Sequence, residues 1–73
     1  MERARLLARR LGRWLHTSRK KWGLTQAQIA ARCEMAARHY GRLERGDTEV
    51  TLTALDRLTQ GFECDLEDLI VQI

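Results

Sequence analysis

Two glycines, Gly23 and Gly46, bracket the stretch that most constrains this chain: GLTQAQIAARCEMAARHYGRLERG. It has room for two short helices and a tight turn. The first helix opens at Thr25. Thr25 and Gln28 are spaced as a capping box: the hydroxyl accepts from the backbone N–H three residues on, and the Gln28 side chain reaches back to the N–H of Thr25. Ile29, Ala30 and Cys33 then form one narrow apolar face. Glu34-Met35 interrupts it. In the second helix Tyr40 and Leu43 turn inward at i and i+3, which leaves Ala37, Arg38, His39, Gly41 and Arg42 facing outward. Gly46 closes that helix, as glycine does just past a helix end.

The rest of the chain extends the same pattern. It has no proline, no strand-like alternation, and abundant Ala, Leu, Arg and Gln. Those features predict an all-α fold. Helices are expected over roughly 2–21, 25–33, 36–45, 51–61 and 65–71, within one domain spanning 1–73 whose centre is 23–46. In the first helix Ala4, Leu7, Leu11, Trp14, Leu15 and Ser18 share one stripe, with Arg5, Arg9, Arg13, His16, Arg19 and Lys20 around the remainder. Leu6 lies off the stripe. Gly23 is the expected stop, with Trp22 covering the end of the core. Thr51 caps the fourth helix, whose Leu52, Leu55, Leu58 and Phe62 are expected to face the core and whose end is expected to fray at Gly61. Asp65 caps a short fifth helix with Leu66, Leu69 and Ile70 apolar. A chain this small buries only about 60% of its unfolded surface, so modest stability is expected.

Two helices joined by three or four residues fit a helix-turn-helix, whose second helix enters the DNA major groove. Here the chain resembles the Cro/repressor-type (XRE-like) helix-turn-helix domains of bacteria and phages. The residues that carry the resemblance are Gly23-Leu24-Thr25-Gln26, Ile29-Ala30, Leu43-Glu44-Arg45-Gly46 and the run Thr51-Leu52-x-x-Leu55-x-x-Leu58. It covers roughly Leu7 to Ile70. It implies a five-helix, lambda-repressor-like bundle and a DNA-binding transcriptional regulator. Gln26, Ala37, Arg38 and Arg42 match positions that read DNA in the family. Backbone N–H groups at the start of the second helix, with Gln26, would hold a phosphate. Arg38 and Arg42 suit guanine O6/N7, and Ala37 a thymine methyl. Arg38 is equally suited to a phosphate. His39 sits beside them, and Arg45, Lys20 and Lys21 are candidate phosphate contacts. The resemblance also implies an ion pair, Arg19 with Glu44, tying the first helix to the third.

Family members usually act as homodimers on two-fold symmetric operators. The apolar end of the chain (Leu66, Leu69, Ile70, Val71 and Ile73) is the expected dimer surface, with Leu6 and Trp14 as a second. Three residues depart from the family pattern. Glu34 stands where glycine takes a left-handed backbone, Ala36 where Ser or Thr caps the third helix, and Gly41 lies inside that helix. Each costs about 1 kcal/mol. The departures at Glu34 and Ala36 favour a competing reading, an antitoxin-like or adaptor module that holds a toxin or other protein partner on the same fold.

Charge opposes that alternative. Residues 1–45 carry twelve Lys/Arg against three Asp/Glu, a balance of +9, whereas residues 46–73 carry one Arg against seven acids, a balance of −6. Beside a helix-turn-helix, a basic half reads as a phosphate-attracting face rather than merely a solvated one. Arg57, outside the basic half, is expected to matter little.

Other chemistry is set aside. Cys33, Cys64, His16 and His39 are the only soft ligands, and no C-x2-C or H-x3-H spacing exists, so no metal or cofactor is expected. Cys33 and Cys64 read as small buried hydrophobes. No nucleophile has a base and an orienting third group, which argues against an enzyme. No apolar run approaches the roughly 18 residues of a spanning helix, and the start MERARLLARR lacks a secretory core, so a cytoplasmic protein is expected.

Overall fold

The computed structural model describes residues 2–73; Met1, the first residue of the expected 1–73 domain, lies outside the described residues. Five helices follow one another: α1 Glu2–Lys21, α2 Gln26–Arg32, α3 Ala37–Arg45, α4 Leu52–Phe62 and α5 Leu66–Ile70. Every boundary lies within one residue of expectation, because the expected spans counted several capping residues as helix.

The starts of α2 and α4 rest on threonine. The Thr25 hydroxyl accepts from the Gln28 N–H at 3.1 Å and the side-chain Oε1 of Gln28 accepts from the Thr25 N–H at 2.8 Å, which completes the capping box. Thr51 accepts from the Ala54 N–H at 3.1 Å. At α5 the Asp68 carboxylate accepts from the Asp65 N–H at 2.9 Å. The ends of α1 to α4 share one device. Gly23, Glu34, Gly46 and Glu63 are left-handed. Around them the N–H groups of Leu24, Met35, Asp47 and Cys64 reach back to the carbonyls of Arg19, Ala30, Arg42 and Thr59. This double-bonded helix ending satisfies the last carbonyls. Glu34, at φ 54°, takes the left-handed geometry expected of it. Glu63, at φ 55°, was not foreseen.

The core gathers Leu11, Leu15, Ile29, Ala30, Cys33, Tyr40, Leu43, Ala54, Leu55, Leu58, Phe62 and Leu69. α1 lies across α3, α2 packs on both α3 and α4, and α5 closes against α4. Two glycines set the closest approaches. A Cβ on Gly12 would lie 2.3 Å from the Glu44 carbonyl oxygen, so α1 and α3 touch backbone to backbone there. A Cβ on Gly61 would lie 2.1 Å from Cys33 Sγ. Gly61 therefore does not fray α4; it is the buried contact that lets α4 meet the end of α2.

Two further expectations are corrected. Leu52 does not face the core; it is 81% exposed. The buried arc of α4 runs through Ala54, Leu55, Leu58, Gly61 and Phe62, and at 100° per residue Leu52 falls beyond its edge. Ala4 is exposed as well, and the buried face of α1 is Ala8, Leu11, Gly12, Leu15 and Arg19. The stripe is rotated toward α3 because Gly12 and Arg19 are what α3 packs upon.

Candidate nucleic-acid interface

α3 has no side-chain cap: Ala36 is extended (φ −65°, ψ 141°) and makes no capping bond. The helix is held from its inner face instead. Tyr40 and Leu43 are buried, and the Tyr40 hydroxyl donates to the Leu15 carbonyl at 3.5 Å. Glu44 does the most. Its side chain is 4% exposed and collects bonds from two other helices, α1 and α2. Arg19 Nε donates to Oε2 at 2.6 Å and Arg19 Nη2 to Oε1 at 3.2 Å. His16 Nδ1 lies 3.1 Å from Oε1, and Gln26 Nε2 donates to that same oxygen at 3.1 Å. Arg19 also donates to the Leu24 carbonyl at 2.9 Å, which ties the α1–α2 loop into the cluster.

Burial by itself would raise the Glu44 carboxyl. The hydrogen bonds with Arg19 first, and with His16 and Gln26, outweigh burial and hold it at about 2. The bond to Glu44 likewise raises Arg19, against the effect of burial. The Arg19–Glu44 contact implied by the family resemblance is therefore present as one part of a larger cluster linking α1, α2 and α3.

This clamp leaves one face of α3 open. Ala37, Arg38, His39, Arg42 and Arg45 are all exposed there. Among the described residues Arg38 makes no ion pair or side-chain hydrogen bond. Arg42 and Arg45 converge on Asp47, the second residue after the helix: Arg42 Nε lies 3.6 Å from Asp47 Oδ1 and Arg45 Nε 3.2 Å from Asp47 Oδ2. Lys20 and Lys21 are exposed at the end of α1, beside the loop leading to α2. Gln26 is placed differently from a free surface amide. One of its N–H groups is committed to Glu44, and its Oε1 lies 3.2 Å from where a Gly41 Cβ would stand. Gly41 thus gives Gln26 room to lie against α3. Sequence reasoning counted only the helix-propensity cost of that glycine.

Two residues away from this face are tied in unforeseen ways. Arg57 is not idle: its Nη1 donates to the Glu34 carbonyl at 2.9 Å, linking α4 to the left-handed turn between α2 and α3. Arg32 Nε donates to the Gly61 carbonyl at 2.9 Å, and its guanidinium lies over the Trp22 ring, 4.8 Å from the centroid. Cys33 is buried and its thiol is pushed up to about 11 by that burial, which makes it an inert core residue. Among the described residues no group of three or more His, Cys, Asp or Glu side chains is placed to hold a metal ion, and no helix is long and apolar enough to cross a membrane.

At the end of the chain, Leu69 is fully buried and has no surface to offer a partner, contrary to its place in the expected dimer contact. It fills the α4–α5 junction. Leu66, Ile70 and Val71 are 47%, 51% and 76% exposed, and Ile73 packs partly against the core.

Residues 2–70 match the helix-turn-helix domain family. The chain belongs to that family. Among solved structures it is similar to the crystal structure of the clp gene regulator ClgR from C. glutamicum. The identity is 24% and the TM-score 0.78, over 90% of this chain and 86% of that one. At this identity the likeness is one of fold. Comparison with curated protein sequences gives no match. In this helix-turn-helix domain, α2 is the supporting helix, Cys33–Ala36 the turn, and α3 stands in the place of the recognition helix.

Proposed function

We propose that this helix-turn-helix domain binds double-stranded DNA sequence-specifically as a transcriptional regulator, with α3 in the major groove. The observation that carries the reading is the contrast between the two sides of α3. Its inner side is locked by the Glu44 cluster, and its outer side presents Arg38 without an internal partner among the described residues. A rigid helix with an unpaired guanidinium suits bidentate recognition of guanine O6/N7. Ala37 and His39 flank that contact, Arg42 extends it one turn further, and Arg45, Lys20 and Lys21 supply phosphate contacts. The protein acts in the cytoplasm, without a cofactor and without catalysis.

One module contacts few bases, so the reading includes a homodimer on a two-fold symmetric operator, its half-sites about 34 Å apart. Leu66, Ile70, Val71 and Ile73 are the surface for it. A second reading, a module that holds a toxin or other protein partner, is favoured by the bare cap at Ala36, which lacks the hydroxyl that could donate to a phosphate.

Selection of bound sequences from a random duplex pool tests the first reading. A recovered two-fold symmetric site, with binding that weakens steeply as salt rises, supports it. Arg38→Ala then sharpens it. Losing a base contact costs about 1–3 kcal/mol on the preferred site and relaxes preference at that base pair. Losing a phosphate contact instead weakens all sequences alike and lowers the salt slope by about one. The base-contact signature is expected. If affinity and preference both survive, the protein-partner reading is the better one.

A further inference from the structure

α3 ends in two arginines, and both lean on one carboxylate. The Asp47 backbone is fixed by the helix ending, where its N–H bonds to the Arg42 carbonyl at 3.2 Å. Its side chain therefore stands directly over the last turn. Oδ1 lies 3.6 Å from Arg42 Nε, and Oδ2 accepts from Arg45 Nε at 3.2 Å. Arg42 Nη2 also donates to the Asp47 carbonyl at 3.4 Å. Arg45 is drawn back along the helix, with Nη1 3.6 Å from where a Gly41 Cβ would be. All three side chains are more than half exposed, so these polar contacts rather than core packing place them.

We propose that Asp47 is a specificity-determining residue of this face, holding Arg42 and Arg45 on an internal carboxylate that a DNA phosphate must displace. The proposal rests on the reading of α3 as a DNA-binding helix. Its logic is competition. Binding to arbitrary sequence depends almost wholly on Lys and Arg meeting phosphates. Asp47 occupies two such arginines and adds a negative charge that repels the strand. A correct site is held by base contacts from Arg38 and its neighbours Ala37 and His39, which form without displacing Asp47; a wrong site offers only phosphate contacts, and those from Arg42 and Arg45 cannot form until the carboxylate is displaced. Asp47 therefore handicaps wrong sequences more than the right one, which is how a repulsive element produces specificity.

The test uses the full chain, as wild type and Asp47→Asn. The probes are two duplexes of equal length and composition: the sequence recovered from the random pool, and its scramble. Asn keeps the size and the backbone bond. Binding is measured at several salt concentrations. The variant is expected to bind the scrambled duplex roughly fivefold tighter at low salt and the selected duplex at most about twofold tighter, with a salt slope on the scramble steeper by about one. Asp56→Asn, which removes an exposed acid on α4, is the charge-matched control and is expected to leave the ratio between duplexes unchanged. Equal gains on both duplexes, no gain on either, or the same shift from Asp56→Asn would overturn the proposal while leaving the DNA-binding reading standing. A wild-type protein that prefers no duplex sequence overturns both.

Discussion

At the start of α2, Thr25 and Gln28 satisfy each other's backbone N–H groups within four residues of chain. At the start of α3, Ala36 offers nothing. The next helix in sequence is built by different means. α2 carries its own instructions, whereas α3 is positioned by groups that arrive from elsewhere: Arg19 and His16 from α1, Gln26 from α2, and the backbone of α1 at Gly12. A short helix is marginal on its own, and tertiary contact normally decides whether it forms. In this motif the supporting helix α2 is locally specified and α3 is globally specified. The face of α3 is thereby freed from stabilising its own helix.

Substitutions on the two sides of this contrast are expected to differ in size. The largest loss is expected from Glu44→Gln. Removing one partner of a buried ion pair costs about 3–5 kcal/mol. In a domain of this size that lowers Tm by more than about 10 °C. The pH dependence has a definite sign. Glu44 is held at about 2, below its ordinary 4.5, so its contribution is fully present above pH 4.5 and is lost as pH falls toward 2. Thermal melts from pH 6 down to pH 2 should show Glu44→Gln removing much of that acid sensitivity, and an unchanged profile would mean the cluster is not what stabilises α3.

Gly12→Ala comes next. Its Cβ would meet backbone oxygen atoms of Leu43 and Glu44 at 2.7 and 2.3 Å, which neither can evade without α1 moving off α3. Overpacking of this kind costs about 1–3 kcal/mol, measurable by urea denaturation. Thr25→Ala, which removes a local cap, is expected to cost only about 1 kcal/mol in the same assay. Should it cost more than Glu44→Gln, the contrast between the helices is inverted. The smallest effect is a gain: Ala36→Ser supplies the missing hydroxyl and should stabilise the protein by about 0.5 kcal/mol. No gain would show that the α3 N–H groups are already satisfied without it.

This contrast also accounts for what the sequence made legible. Thr25, Gln28, Thr51 and Gly46 act on their immediate neighbours, and the helix bounds they imply were readable to within a residue. Glu34 and Ala36 were readable as departures from a familiar pattern. Gly12, Gly61 and Gly41 were not readable, because what they accommodate is a backbone or side chain distant in sequence: the Glu44 carbonyl, Cys33 and Gln26. Leu52 was misplaced because spacing by threes drifts 60° per step from the true helical repeat, and α4 is too short for the buried arc to correct it. Arg57 was dismissed on its distance from the basic half, yet its partner is a carbonyl, which no count of charges records. On the candidate interface, Ala37, Arg38, His39 and Arg42 were legible as outward from the position of Tyr40 and Leu43, whereas Gly41, expected among them, is buried beneath Gln26 and Arg45. The tethering of Arg42 and Arg45 by Asp47 was not, since it depends on how the chain turns after Gly46.

Both tryptophans of the chain lean on the same ring. Trp14 meets Phe62 with centroids 5.3 Å apart, and Trp22 meets it from the end of α1 at 5.8 Å. Phe62 is the last residue of α4, so the two indoles sense one thing: whether α1 is docked on that end of the bundle. The protein thus carries an intrinsic optical reporter. Its ultraviolet emission follows the making and breaking of the α1–α4 seam. The ring partners of the indoles are Phe62 and Arg32 rather than residues of the outer face of α3, so the signal reads the folding of that end of the bundle.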